Sequence, residues 1–137
     1  MDTSILDCKR AVEGLLASTN PTIQIAYENS RFVPPEVLYI QTQFMIQRPD
    51  DPVFTAGYHR ERMQFQVFVV DTIDTGTGEA YTKALSIRET FHKGLHLKEG
   101  STDIYVLRTP FISHATVATD KVVVSVVIDL VVEVSSF

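Results

Sequence analysis

Seven successive even positions near the end of the chain, Val122, Val124, Val126, Ile128, Leu130, Val132 and Val134, are all apolar. The odd positions between them mix Lys121, Ser125, Asp129 and Glu133 with Val123, Val127 and Val131. Side chains of a strand point alternately to opposite faces, so this pattern predicts a strand with one dry face and one chemically mixed face. The thirteen residues from Lys121 to Glu133 would extend ~43 Å at ~3.3 Å per residue, about twice an ordinary strand. The valines on the mixed face need cover. Either a helix of the same chain supplies it or another protein does, and the second case points toward assembly rather than catalysis.

The rest of the chain falls into further periodic segments. Ile5, Cys8, Val12, Leu15 and Leu16 share one side at helical spacing, after a Ser4/Asp7 pair that fits a capping box, and Asn20-Pro21 ends the helical region. Strands are predicted over 22–28 and 36–47, separated by a loop at 29–35 that closes on two prolines. In the second, Leu38, Ile40, Phe44 and Ile46 face one way, and Gln41 and Gln43 face the other beside Tyr39 and Met45. Residues 62–72 repeat the arrangement, with Met63, Phe65, Val67 and Val69 inward and Arg62, Gln64 and Gln66 outward. Neutral amides on a strand face suit pairing with another protein surface, and equally suit a plain solvated sheet.

Between these two strands, Arg48 to Arg60 (RPDDPVFTAGYHR) is long for a hairpin connection and makes the pair an extended arm. After Asp74-Thr75-Gly76-Thr77-Gly78, a second helix is predicted from about Glu79 to Lys93, with Thr77 as its cap and Gly94 as its stop. Its packing face is read as Tyr81, Ala84, Leu85, Arg88, Phe91, His92 and Leu95. A strand over 103–114 follows, with an edge position or bulge at Pro110, and a turn at 116–120 leads into the final strand. The predicted order is α-β-β-β-α-β-β. This is an α+β fold, a mainly antiparallel sheet flanked by two helices, forming one domain over residues 1–137 with an extended loop at about 48–60.

Composition adds exclusions. The 45% hydrophobic and 21% charged content is that of an ordinary soluble domain, and a net charge of -5 disfavours tight binding to nucleic acid phosphate. It leaves room for a surface that nucleic acid merely passes. The single cysteine, Cys8, can form no intramolecular disulfide. On the helical stripe it reads as a small buried apolar residue rather than a reactive thiol. The N-terminal residues lack a basic start followed by an apolar core, and Asp129 and Glu133 interrupt the apolar run near the C-terminus, so a soluble protein without membrane association is expected.

Catalytic and metal motifs are thin. Gly76-Thr77-Gly78 lacks the further glycine and the lysine of a nucleotide cradle, and Asp71, Asp74 and Glu79 beside it would repel phosphate. His92 and His96 have a metal-binding helical spacing, but Gly94 between them ends the helix. His59 and His114 read as surface or turn residues. Asp50-Asp51 has no third ligand at EF-hand spacing, and reads as a solvated or arginine-paired loop. No catalytic residue, metal site or cofactor is therefore assigned, and an enzyme is not expected.

Several passages together carry a resemblance: Ile25 to Gln41 with its Asn29, Phe32 and Pro34 spacing, Arg62 to Val70, Gly76 to Phe91, and the final pair of strands. In order and texture the chain resembles the tail terminator-like proteins of long-tailed phages and prophages. That resemblance implies a structural protein of the virion, at the head-proximal end of the tail and assembled in the host cytoplasm. It implies a homohexameric ring that binds the completed tail tube, stops its polymerisation and presents a surface to head-tail connector proteins. DNA would only pass through the ring.

Recognition residues commonly sit on loops held by rigid strands, with aromatic and arginine side chains as anchors. On that ground Arg48, Asp50, Asp51, Phe54, Tyr58, Arg60 and Arg62 are the candidate contacts to the tube or to a neighbouring subunit. The alternatives are a small α+β ligand-binding module, or a neck or head-completion protein of the same particle.

Overall fold

The alternating segment forms β8 (Lys121–Ser135), which pairs antiparallel along its whole length with β3 (Tyr58–Thr72). The computed structural model describes residues 2–54, 56–72 and 76–135. Around the central pair the sheet runs β1 (Ile25–Ala26), β2 (Tyr39–Ile46), β3, β8, β5 (Thr102–Val106), β4 (His96–Glu99). The short strands β6 (Phe111–Ile112) and β7 (Thr116–Ala118) also pair with β8. Every pairing is antiparallel except β1 with β2. The α+β class and the mainly antiparallel sheet with two helices are as the sequence predicts.

Pairing register sorts the side chains. Val67 lies opposite Val126 on one side and Thr42 on the other, while Gln66 lies opposite Val127 and Gln43. The first set shares the face that carries Met63, Phe65, Val69 and the even positions of β8. Both helices pack on that face. From α1 (Ser4–Thr19) come Cys8, Val12 and Leu16, and from α2 (Gly78–Thr90) come Ala80, Ala84 and Ile87, all buried in one core with Ile104 and Val106. The Phe65 and Phe91 rings meet at 6.0 Å within it. The opposite sheet face receives no helix, which answers the question left by the valines of β8: their cover does not come from α1 or α2.

Local details depart from the sequence reading where short elements depend on neighbours. The strand expected over 22–28 shortens to Ile25–Ala26, and the strand expected over 103–114 splits around Pro110 into β5 and β6. The 116–120 turn contains β7, and β4 was not foreseen. The Ser4/Asp7 capping box does not form. Ser4 is the first helical residue, its N–H is taken by the Asp2 carboxylate at 2.8 Å, and Asp7 accepts from the Thr3 hydroxyl at 3.0 Å. In α2 the buried face is rotated from the expected one. Leu85 and His92 are exposed and Ala80 and Ile87 are buried, because small alanines let the helix approach the sheet closely. Asp74 and Thr75 of the preceding turn lie outside the described residues, and Asp71 is buried near the end of β3.

Candidate assembly surface

The hairpin arm begins where the β2–β3 ladder changes step. Gln47 N–H donates to Arg62 C=O at 2.8 Å, and the next paired residues are Asp50 and Arg60, which exchange backbone bonds of 2.9 and 2.8 Å. Arg48 and Pro49 thus oppose Glu61 alone, a β-bulge. A bulge is a position where proline, lacking an N–H, fits a ladder. The extra residue turns Asp50 to the helix-free face, and its carboxylate accepts a hydrogen bond from Arg62 Nη1 at 2.9 Å.

On that face the candidate residues separate into two groups. Asp50, Tyr58, Arg60 and Arg62 lie at the lower end of β3. Arg60 Nε donates to Glu133 at 3.2 Å, and the Tyr58 hydroxyl, followed by Glu133, raises the Arg60 guanidinium above its ordinary pKa. Arg60, Arg62, Asp50, Leu107, Val131 and Glu133 line a shallow depression. The second group is the outer loop, where Arg48, Asp51 and Phe54 are exposed, Phe54 completely so. Thr55 lies outside the described residues.

Sequence reasoning missed the partners contributed by other strands. Arg108 Nε reaches Asp129 at 3.3 Å, Gln64 donates to the same carboxylate at 3.1 Å, and Gln66 donates to Gln64 at 2.9 Å. With Arg60–Glu133 and Arg62–Asp50, these contacts run a polar lattice across the open face. Exposed Tyr105, Leu107 and Phe111 stand beside it. The odd positions of β8 were the available signal for Asp129 and Glu133, and alternation within 103–114 groups Tyr105, Leu107 and Phe111 on one side; Arg108 lies between β5 and β6, where no alternation marks it. At the other end, Phe32 packs on Tyr39 with ring centres 5.3 Å apart, so the 27–35 loop covers this corner and Val70 is buried there.

The histidines serve local contacts. His59, placed by sequence among surface or turn residues without partners, is within β3 and lies 2.8 Å from Glu61. His96 stacks on Tyr105 at 4.7 Å and pairs with Asp103 at 2.7 Å, while His92 is exposed beyond the end of α2. Cys8 is fully buried, and burial pushes its thiol up to about 12. Among the described residues no group of three or more His, Cys, Asp or Glu is placed to hold a metal ion, and no helix is long and apolar enough to cross a membrane.

The sheet is backed by helices on one side and left open on the other, where it presents an ion-paired and aromatic surface. The sequence matches the family model described as phage tail terminator protein over residues 7–129, and the chain belongs to that family. It is a structural component of the phage tail that works against other tail or head proteins. A solved structure with 21% sequence identity shares the fold, with a TM-score of 0.75 over 100% of this chain and 98% of that one. No curated protein matches the sequence.

Proposed function

We propose that this protein ends the tail tube: copies close into a six-membered ring on its head-proximal end, stop its polymerisation and offer the upper surface to head-tail connector proteins. The observation that carries this reading is the family match over residues 7–129. The open sheet face supports it, because apolar and ion-paired groups left uncovered by the chain's own helices are material for a protein interface. In this reading the domain comprises residues 1–137, and Arg48, Asp50, Asp51, Phe54, Tyr58, Arg60 and Arg62 contact the tube or the neighbouring subunit. A net charge of -5 lets DNA pass the lumen without sticking.

The test is tail length in a phage lacking the wild-type gene and supplied with a variant. The double substitution Arg60→Glu/Arg62→Glu inverts both arginines but also breaks their pairs with Glu133 and Asp50. Phe54→Ser removes only an exposed ring, and should leave stability within about 0.5 kcal/mol. Both variants should give overlong tails without joined heads. Tails of normal length carrying heads, from both variants, overturn the assignment of these contacts.

A further inference from the structure

The two edges of the sheet differ, and each leaves backbone groups without a strand partner. β1 covers only Ile40 and Gln41 of β2. Ile40 N–H points outward to Gln24 C=O at 3.0 Å, while Gln47 N–H points inward to Arg62. Alternation along the strand therefore turns the backbone groups of Phe44 and Ile46 outward too. The Phe44 N–H is met there by the carboxylate of Glu28 rather than by a strand. Met45 and Ile46 beside it are 39% and 61% exposed. An apolar edge whose backbone groups have no strand partner is a template for a further strand.

At the other edge, Leu95 C=O accepts from Val106 N–H at 3.0 Å, so the outward groups of β4 are those of His96 and Lys98. Lys98 is exposed there. Glu28 marks one edge and Lys98 the other. Two copies meeting β2 to β2 would bring glutamates together, and two meeting β4 to β4 would bring lysines together. Only the unlike pairing joins opposite charges. Four successive antiparallel steps, from β2 through β3, β8 and β5 to β4, leave β4 pointing the same way as β2. A rotation about an axis along the strands would thus lay β4 of one copy parallel to β2 of the next.

We infer that the β2 edge at Gln43–Ile46 accepts strand β4 of a second copy, with Lys98 of that copy drawing Glu28 away from the Phe44 N–H. This contact is head-to-tail, the type that closes into a ring or continues as a filament. It rests on the ring reading above and assigns the contact that makes the ring.

Two proline variants test it. Ile46→Pro and Lys98→Pro each remove an N–H that faces away from the chain's own ladder, a position where an edge strand tolerates proline. Wild-type protein treated with a zero-length carbodiimide should show an intermolecular Glu28–Lys98 cross-link. Ile46→Pro, which keeps both Glu28 and Lys98, should lose that cross-link, and each variant alone should sediment as a monomer. Mixed in equal amounts, they should form a dimer and no larger species, since each retains the edge the other lacks. Native circular dichroism checks folding, and Ile46→Lys, which leaves the backbone intact and repels Lys98, replaces Ile46→Pro if that variant unfolds. Association unchanged in both variants, or no Glu28–Lys98 cross-link in the wild type, overturns the edge pairing. The ring reading fails separately, if wild-type protein added to growing tubes leaves their length uncontrolled.

Discussion

Arg62 and Asp50 are joined across a β-bulge by a hydrogen-bonded ion pair of 2.9 Å, which ties the root of the Arg48–Arg60 loop to the long strand β3. Both side chains remain partly open to water, at 31% and 46% of their full exposure. A double-mutant cycle with Asp50→Ala and Arg62→Ala should therefore give a coupling of about 0.2–1 kcal/mol in chemical denaturation. Salt should reduce it, since partly exposed charges are screened.

The two faces of β8 should respond to the same kind of truncation with very different losses. Ile128 is fully buried beneath the helices and Val127 is half-buried on the open side. Ile128→Ala should cost about 2–5 kcal/mol of unfolding free energy, as deletions within a packed core do. Val127→Ala should cost less than about 1 kcal/mol in the isolated chain. Thermal denaturation of the two variants side by side measures the difference.

Cys8 gives the fold a pH signature. Its thiol is pushed from 9.0 to about 12 by burial, so the folded chain holds the proton more tightly than the unfolded one. The associated stability is fully present below pH 9 and is lost as pH rises from about 9 to 12. Within that window the folding equilibrium constant should fall by about tenfold per pH unit on account of this group. The difference between wild type and Cys8→Ala, followed by denaturant titration at successive pH values, isolates its share. Alkylation of the native thiol at pH 8 should be slow and should become fast on unfolding.

Long periodic elements were legible and short ones were not. The fifteen residues of β8 and the fifteen of β3 repeat their alternation enough times for the two faces to be read without any partner in view. β4, with four residues, and β7, with three, have no such repetition; hydrogen bonds to β5 and β8 hold them extended. On α2, Ala84 and Phe91 were read correctly as buried, but Ala80, fully buried, was passed over because it carries little hydropathy, while the more apolar Leu85 points to water. Within the candidate surface, the loop and its arginines stood out by composition. Their partner Glu133 lies 73 residues from Arg60, and only the pairing of β3 with β8 brings the two together.

The bulge at Arg48–Pro49 makes the arm sensitive to parity. It spends one residue so that Asp50, at an even position, shares a face with the odd-numbered side chains of β2. Deleting Pro49 would restore an even ladder, with Arg48 opposite Glu61, Asp50 still opposite Arg60 and the loop beyond them unchanged in length. Inserting one residue beside it would, unless the bulge widened to absorb it, send Asp50 to the helix side and away from Arg62. This segment can thus lose one residue without moving Asp50 to the other face, but cannot gain one without a wider bulge. Any change of length at the root of the arm is held to that arithmetic.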